Sequence, residues 1–356
     1  MNALQAALSP KRRAGVALFL ALAAVLAPAA SAADWGRFQE RFLSRDGRVI
    51  DPGQEDASHS EGQGYGLWLA LLHGDRPAFD RILRWTVDNL QVRKDALFAW
   101  SWGRRPNGAW NVIDYNNATD GDLLIASALL RAAEDWKHPP YREAALAVAR
   151  DIRLHLSVAA GKRRLLAPAY YGFASRERLL FNTGYLVFSA YRAFARADEE
   201  GFWNRILQDA LGLLRETAAN RFGLPPDWVV LEPESPRFAP ERGPHFGYEA
   251  ARLPLYEAGL DAPLPAFTGF LDWVDQAGYL PGRVNLAEST VAAEEAPAGI
   301  HAVFALAAER RGMAGLARRL LERGRAKIGA EPDDYYSNAL FLLAAARSGR
   351  PGFRGP

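Results

Sequence analysis

Carboxylates are the side chains of this sequence that could carry proton chemistry, and they occur at three places along the chain. Asp120 and Asp122 flank one glycine at the start of a long apolar run. Glu61 lies among glycines in SHSEGQGYG, and glycines let a polymer or a backbone approach closely. Glu249 precedes Arg252 by three residues, so the two could pair on a helix and keep the carboxylate ionised.

Each of these acids also has an ordinary structural interpretation. Acids near the start of a helix interact with its positive end, which would account for Glu61 and Asp120 without any chemistry. Thr119 could cap the same helix, with Asp122 three residues on in a capping box. A pair at i, i+3 on a helix surface contributes little to stability. The positions alone therefore leave both interpretations open.

Aromatic side chains follow the first glycine-rich stretch. Trp100 and Trp102 are two residues apart in an extended segment, so both indoles should point to one face. Together with Trp110 and Tyr115 they could stack on sugar rings, or they could form a hydrophobic lid. Tyr185 opens a predicted helix, where its hydroxyl could hold a water or a sugar oxygen, although a core tyrosine is more common.

Other kinds of chemistry have no support in the sequence. The six histidines are scattered without metal-ligand spacing, and the chain has no cysteine. No nucleophile elbow and no phosphate-binding loop is present. No basic patch indicates nucleic acid as a partner. Paired carboxylates remain, and glycoside hydrolysis requires two carboxyl groups that flank the scissile bond.

The first 32 residues predict a signal peptide. A basic cluster at 11–13 precedes an apolar run at 14–27, and an A-x-A cleavage site ends at Ala32. The run is too short for a membrane span, so no stable membrane insertion is expected. Cleavage would remove three of the 43 basic residues and none of the 41 acidic ones, leaving a net charge of about −1. We therefore expect a periplasmic or secreted protein.

The rest of the chain predicts an all-α fold. Helical periodicity occurs in about twelve segments. These are 34–44, 60–73, 75–90, 120–136, 139–156, 182–197, 201–220, 246–259, 263–276, 299–311, 313–328 and 333–347. Short and long connections alternate, as in an (α/α)6 barrel whose long loops form a cleft and a small β element on one rim. We expect a single catalytic domain over 33–347 and a disordered tail over 348–356.

Taken in order, the motifs resemble those of glycoside hydrolase family 8. The resemblance covers nearly all of 34–347, and further motifs bring it closest to the members that bacterial cellulose-synthesis operons encode. The segments that carry it are SEGQGYG at 60–66, AWSWG at 99–103, ATDGDLLIASALLRAAEDW at 118–136, NTGY at 182–185 and GYEAARLPLY at 247–256. It implies an (α/α)6 barrel and a periplasmic or secreted endo-β-1,4-glucanase that acts with inversion, without a cofactor or metal, during bacterial cellulose or exopolysaccharide synthesis.

The resemblance also implies roles for individual residues. Glu61 corresponds to the general acid, Asp120 to the acid that binds and distorts the sugar at the cleavage subsite, and Tyr185 to a residue that helps to hold the catalytic water. Glu249 occupies the position of the general base, where aspartate is common in the family. The extra methylene displaces the carboxylate by about one bond length, and a misplacement of about 1 Å can cost roughly 100-fold in rate. The side chains expected to contact substrate are Trp100, Trp102, Trp110, Tyr115, Tyr185 and Arg252.

Two other functions remain open at this point. Glu249 would also suit a weakly active or non-catalytic glucan-binding factor of a synthase complex. The enzyme could instead act on xylan, chitosan or mixed-linkage glucan. The expected partners are a β-1,4-glucan chain and a cellulose synthase complex, and the protein is expected to be a monomer.

Overall fold

The computed structural model describes residues 32–232, 235–257 and 260–348. These residues form twelve α-helices, in agreement with the number expected from periodicity. In chain order they are α1 (Ala32–Phe42), α2 (Ser60–Leu72), α3 (Arg76–Leu90), α4 (Thr119–Asp135), α5 (Pro139–His155), α6 (Phe188–Ala197), α7 (Glu200–Thr217), α8 (Leu253–Tyr256), α9 (Thr268–Ala277), α10 (Ala298–Arg310), α11 (Ala314–Ile328) and α12 (Tyr335–Ala345).

The helices differ in how much of their surface is buried. Nearly every residue of α2, α4, α10 and α12 is buried, because these helices are apolar on most sides. In contrast, α3, α5, α7 and α11 bury one stripe and expose a charged face. In α11, for example, Leu316 and Leu320 are buried four residues apart among arginines.

The amphipathic helices pack against the buried helices that precede them. α3 contacts α2, α5 contacts α4, α7 contacts α6 and α11 contacts α10. The buried helices also contact one another: α2 lies against α4, α4 against α6, α8 against α10, α10 against α12, and α12 against α2. One hydrophobic core extends through all of these contacts, from Trp35 to Ala346.

The long connections contain more β structure than the small element expected from the sequence. The described residues form four antiparallel sheets of two or three short strands. The strands are β1 (Ser58–His59), β2 (Ser101–Arg104), β3 (Trp110–Asp114), β4 (Ser157–Ala160), β5 (Arg163–Leu166), β6 (Leu179–Asn182), β7 (Trp228–Leu231), β8 (Pro236–Phe238), β9 (His245–Phe246), β10 (Val284–Asn285) and β11 (Thr290–Val291). They pair as β1-β2-β3, β4-β5, β6-β7-β8 and β11-β10-β9.

Two predicted helices are shorter than their sequence periodicity indicates. The segment 182–197 begins with a 3₁₀ turn at Thr183–Tyr185, and α6 starts only at Phe188. The segment 246–259 contains a 3₁₀ turn at Ala250–Arg252 and a four-residue helix, α8. Glu249 therefore precedes a turn and does not lie on a helix, which corrects the expected setting of its pair with Arg252.

Some expectations fall on residues that the structure does not describe. Residues 1–31 of the predicted signal peptide and 349–356 of the predicted tail lie outside the described ranges. The domain boundaries at 33 and 347 therefore stay predictions. In the described part of the chain, no helix combines the length and the apolar character that crossing a bilayer requires.

Candidate active site

Arg252 brings together three of the acids that the sequence singled out. Its Nη1 contacts Oε1 of Glu61, and its Nη2 lies 2.6 Å from Oε2 of Glu249 and 3.3 Å from Oδ2 of Asp120. The Arg252 side chain is only 4% exposed. The exposed fraction of the carboxyl side chains rises from 2% for Asp120 to 19% for Glu61 and 36% for Glu249. The cluster thus combines one buried guanidinium with carboxyl groups that solvent reaches from one side.

Glu61 is held at the start of a rigid helix. It is the second residue of α2, and its Oε1 accepts a 2.9 Å hydrogen bond from the hydroxyl of Tyr65, one turn further on. The hydroxyl of Tyr65 also lies 2.9 Å from that of Tyr256 in α8. Both tyrosine side chains are fully buried, so this chain of hydroxyls fixes the orientation of the Glu61 carboxyl.

Glycines bring α2 and α4 into close contact and place Glu61 beside Asp120. A Cβ added at Gly121 would lie 2.2 Å from Oγ of Ser60 and 2.9 Å from the main-chain nitrogen of Glu61. A Cβ at Gly64 would lie 2.6 Å from the Cβ of Leu124. The glycine between the two aspartates is therefore required by this close approach of the helices.

Asp120 is buried at the start of α4. Its Oδ1 accepts a 2.9 Å hydrogen bond from the main-chain nitrogen of Gly121. Burial, with the added effect of the Glu249 charge, raises the pKa of Asp120 well above its ordinary value. Because desolvation disfavours the charged form, the protonated carboxyl of Asp120, which can donate a hydrogen bond, is favoured relative to that of an exposed aspartate.

Asp122 has a structural role, but not as part of a capping box. Its Oδ1 accepts a 2.9 Å hydrogen bond from the main chain of Phe98, and its Oδ2 accepts one of 2.7 Å from Nδ2 of Asn117. The helix is preceded by Ala118, which makes no side-chain cap, and the hydroxyl of Thr119 donates to the carbonyl of Ala167. The expected capping box is wrong, because both polar side chains bind the rim loops instead.

Glu249 is positioned by main-chain contacts from distant segments. Oδ1 of Asp227 accepts hydrogen bonds of 2.9 Å from the nitrogens of Gly247 and Ala250, which flank Glu249. On the other side, a Cβ at Gly184 would lie 2.2 Å from the carbonyl oxygen of Glu249. The backbone that carries this carboxylate is therefore confined between two loops.

The environment of Glu249 suits a base that works near neutral pH. Burial raises the pKa of Glu249 to about 7, the charge of Asp227 adds to the increase, and the amide of Asn182 and the charge of Arg242 oppose it. Nδ2 of Asn182 is buried near enough to Glu249 to lower its pKa, but it makes no hydrogen bond of ordinary geometry within the described residues. This amide group could therefore bind a water or a substrate hydroxyl beside Glu249.

Tyr185 lies beside Arg252, and its predicted role in holding the catalytic water stays a prediction. The guanidinium carbon of Arg252 is 5.4 Å from the centre of its ring, and the ring of Trp228 lies 6.4 Å away. Burial and the nearby charges of Asp120 and Glu249 raise the pKa of Tyr185 well above its ordinary value, so the hydroxyl keeps its proton. It remains available as a hydrogen-bond donor.

Trp100 and Trp102 do not share the same aromatic neighbours. The bulge between β2 and β3 lies on β3, because Ser101 pairs with Asp114 and Trp102 with Val112, which leaves Ile113 as the extra residue. Burial still alternates along β2, with buried Ser101 between the two tryptophans. Trp100 stacks on His59 at 5.6 Å. Trp102 packs edge-on against Trp85 and stacks on Trp110, with both ring centres 5.3 Å away.

The other expected aromatic contacts are accessible. Trp110 and Tyr115 are 44% and 48% exposed. A guanidinium lies over each, since Arg48 is 5.1 Å from the Trp110 ring centre and Arg105 is 5.9 Å from that of Tyr115. The role of these aromatic residues in substrate binding stays a prediction.

Sequence reasoning missed several residues that build the site. Tyr65, Tyr256 and Asn182 lie in segments that carried the family resemblance, and Asp227 lies between two of those segments, but none was assigned a role. Tyr65 follows Glu61 by four residues on α2, a spacing from which their contact could have been predicted. Asp227 and Tyr256 bind partners far away in the sequence, so those contacts could not be derived from spacing. In the described part of the chain, no group of three or more metal-ligating side chains is positioned to hold an ion.

The chain is similar to known glycoside hydrolases. The family model described as glycosyl hydrolases family 8 matches residues 10–349 of the chain. The chain is 34% identical to an endoglucanase of Cellulomonas uda, over 82% of each chain, and 36% identical to a probable endoglucanase of Novacetimonas hansenii, over 89% of this chain and 90% of that relative. The solved structure of the endo-β-1,4-glucanase CMCax from Acetobacter xylinum is similar with a TM-score of 0.78 and 32% identity, covering 90% of this chain and 99% of that one.

Proposed function

The chain belongs to the glycosyl hydrolases of family 8, and we propose that it is an inverting endo-β-1,4-glucanase. The observation that carries the proposal is the convergence of Glu61, Asp120 and Glu249 on Arg252. Inverting hydrolysis requires one carboxyl group that protonates the leaving oxygen and a second that activates water on the opposite face of the sugar. The cluster offers both groups and a third acid between them.

The proposed mechanism assigns one task to each acid. Glu61 protonates the leaving oxygen, and Glu249 removes a proton from the water that attacks the anomeric carbon. A base with a pKa of about 7 is matched to work near neutral pH. Asp120 donates a hydrogen bond to the sugar at the cleavage subsite, and Tyr185 and Asn182 hold the water. We expect the carboxyls of Glu61 and Glu249 to lie about 6.5–9.5 Å apart when substrate is bound.

Arg252 is proposed to position the acids, a change from the substrate contact expected from the sequence. One guanidinium holds Glu61 by Nη1, and its Nη2 faces Glu249 and Asp120. A planar, permanently charged group with several donors in fixed directions can bind three carboxyl groups at once. Entry of a sugar and a water then requires Arg252 to release at least one of them.

The longer side chain of Glu249 fits this arrangement. Its backbone lies in a turn fixed by Asp227 and by the contact with Gly184, while its carboxylate reaches Arg252 at 2.6 Å. The extra methylene is accommodated within the cleft, where the side chain is 36% exposed. We therefore propose that glutamate serves as the base at this position.

The activity is tested with cellopentaose, a neutral β-1,4-linked substrate. Wild type should cleave it, and Glu61→Gln should lower kcat about a thousand-fold, since general acid catalysis contributes 10²- to 10⁴-fold. Proton NMR during the first turnovers should detect newly formed α-anomer. Equal rates for the two proteins would refute the proposal, and initial β-anomer would refute inversion.

A second candidate function is a glucan-binding factor of a synthase complex. It is favoured by the glutamate in place of the common aspartate and by the fact that all three acids contact one arginine. In that case wild type binds cello-oligosaccharides without cleaving them, and Glu249→Asp gains cleavage. A family 8 hydrolase of xylan, chitosan or mixed-linkage glucan is distinguished by its relative kcat/KM on those polymers.

The cellular setting and the architecture complete the proposal. The helix contacts support an (α/α)6 barrel, with α2, α4, α6, α8, α10 and α12 as the inner ring. We propose a monomer that is exported to the periplasm or beyond after cleavage near Ala32 and acts on a β-1,4-glucan chain during cellulose or exopolysaccharide synthesis, beside a cellulose synthase complex. A mature N-terminus that still contains the basic cluster at 11–13, a dimer in sedimentation, or unchanged polymer yield in a deletion strain would each contradict one part.

A further inference from the structure

Two arginines lie over aromatic rings on different sides of the carboxyl cluster. The guanidinium carbon of Arg48 is 5.0 Å from the ring centre of Trp102 and 5.1 Å from that of Trp110. The guanidinium carbon of Arg242 is 4.8 Å from the ring centre of Trp228. Such contacts place a positive charge on the ring faces where a sugar would stack. A substrate that reaches these rings therefore encounters a cation as well as an aromatic surface.

Arg242 is close to the general base. The Trp228 ring beneath it lies 6.4 Å from that of Tyr185, and Tyr185 in turn lies under Arg252. The charge of Arg242 is also felt at Glu249, whose pKa it lowers. The rings of Trp228 and Tyr185 therefore connect Arg242 to Arg252, which contacts the three carboxyl groups.

Arg48 is on the side of the general acid. The β1–β2 pairing places Trp102 opposite Ser58, three residues before Glu61 in the sequence. Arg48 lies over Trp102, and its Nη1 donates a 2.8 Å hydrogen bond to the main-chain carbonyl of Asp56. Arg48 therefore lies over a ring of the β1-β2-β3 sheet, which adjoins Glu61. Arg242 lies over a ring of the β6-β7-β8 sheet, on the side of Glu249.

Neither guanidinium forms a salt bridge within the described ranges of the chain. The carboxylates of Asp46 and Asp56 attract the Arg48 guanidinium only through longer-range electrostatic interactions. Other arginines of the β-rich connections are paired, for example Arg93 with Asp95 at 2.7 Å. Since the mature chain is expected to carry a net charge of about −1, this positive charge is a local property of the cleft.

We propose that Arg48 and Arg242 make the enzyme prefer β-1,4-glucan chains that carry carboxylate groups over neutral chains. The inference rests on the proposed endoglucanase activity and specifies its substrate class. A carboxylate on the sugar accepts charge-assisted hydrogen bonds from the guanidinium, while the pyranose ring covers the indole beside it. A neutral chain must displace the same guanidinium from the ring without a compensating ion pair.

The test compares two soluble celluloses of matched length and degree of substitution, one carboxymethylated and one hydroxyethylated. The ratio of their kcat/KM values should exceed one at about 20 mM salt and fall several-fold at about 0.5 M salt, where charges are screened beyond a few ångströms. Arg48→Gln and Arg242→Gln should each lower the low-salt ratio about three-fold, as expected for an exposed ion pair. The double variant should lose the salt dependence.

Two further sets of variants identify the cause. Arg48→Lys and Arg242→Lys keep the charge, and they should retain a salt-sensitive preference. The control is Arg131→Gln, whose arginine pairs with Asp135 at 2.9 Å near the other end of α4. It lies about 16 Å along the helix from Asp120, so its removal should leave the ratio unchanged. Thermal unfolding of every variant shows whether the fold is retained.

The outcomes separate this inference from the proposed activity. Cleavage of cellopentaose together with a ratio that neither salt nor the glutamine variants alter would overturn the anionic preference and leave the endoglucanase intact. No cleavage of any substrate would overturn the proposed function itself. If Arg131→Gln lowers the ratio of kcat/KM values as much as Arg48→Gln does, the preference arises from the net charge of the protein. That result would also overturn the inference.

Discussion

The two halves of the active site are built by different means. Glu61 and Asp120 lie at the starts of two long, buried helices whose contact is set by Gly64 and Gly121. Glu249 lies in a turn between short strands and a four-residue helix, and its position depends on hydrogen bonds to residues about twenty positions away. The acid side is therefore fixed by helix packing, and the base side by a few specific loop contacts. Substitutions on the two sides should fail in different ways.

Gly184→Ala should have the largest effect, and it should act on turnover. Its Cβ would overlap the Glu249 carbonyl oxygen at 2.2 Å, and a main-chain atom cannot move aside without shifting the base. We expect kcat on cellopentaose to fall about 100-fold, as for a displacement of about 1 Å. The control is Gly201→Ala, because nothing lies within 4 Å of a Cβ at that position. A variant with wild-type kcat would break the comparison.

Gly121→Ala should instead reduce stability. The new methyl group would meet Ser60 and the main-chain nitrogen of Glu61, and the helices α2 and α4 would have to separate. Overpacking of this kind costs about 1–3 kcal/mol in the free energy of unfolding. Chemical denaturation measures the loss, with Gly201→Ala again as the control. A stable variant whose kcat alone is reduced would mean that helix packing does not distinguish the two halves.

Tyr65→Phe should lower kcat moderately without unfolding the protein. The substitution removes the 2.9 Å hydrogen bond to Glu61 and keeps the buried ring. Glu61 becomes a carboxylate as it donates its proton, and a hydrogen bond to a charged group contributes about 1.5 kcal/mol or more, which corresponds to roughly a ten-fold loss in rate. Tyr191→Phe, a buried tyrosine that packs against Trp203, is the matched control. If the two variants have equal kcat values, the hydrogen bond from Tyr65 does not contribute to the action of Glu61.

The dependence of kcat/KM on pH should report the ionisation of Glu249, the proposed general base. Because Glu249 must be ionised to act, kcat/KM should increase with pH through about 7. The amide of Asn182 lowers the pKa of Glu249, so Asn182→Ala should move this limb to higher pH by a fraction of a unit. The raised pKa also means that the folded state binds the proton more tightly. The contribution of Glu249 to stability is therefore lost as pH rises from about 4.5 to about 7.

Profiles of kcat/KM and of the unfolding midpoint between pH 4 and 8 check both signs. Asp122→Asn, which alters another buried carboxyl, provides a comparison in the stability measurement. If Asn182→Ala does not shift the rise of kcat/KM with pH, a group other than Glu249 titrates in that range.

The sequence predicted the helical half of the molecule better than the looped half. Continuous apolar periodicity predicts α2 and α4 because helix geometry is local, and the motifs that begin them contain Glu61 and Asp120. The same logic extended the helix at 246–259 too far, because Pro254 and the contacts of Asp227 end the regular pattern there. The bulge at Ile113 likewise depends on the pairing of β3 with β2, which local periodicity does not reveal.

The cluster around Arg252 has a consequence for proton stoichiometry. One guanidinium can balance only one of the three carboxylates of Glu61, Asp120 and Glu249, and the buried site disfavours the remaining negative charge. Burial raises the pKa values of both Asp120 and Glu249, which favours the retention of protons by the cluster. When a sugar replaces the guanidinium contacts, the number of bound protons must change. The enthalpy of binding a cello-oligosaccharide to Glu61→Gln should therefore differ between buffers of different ionisation enthalpy, and identical enthalpies would mean that the cluster exchanges no proton on binding.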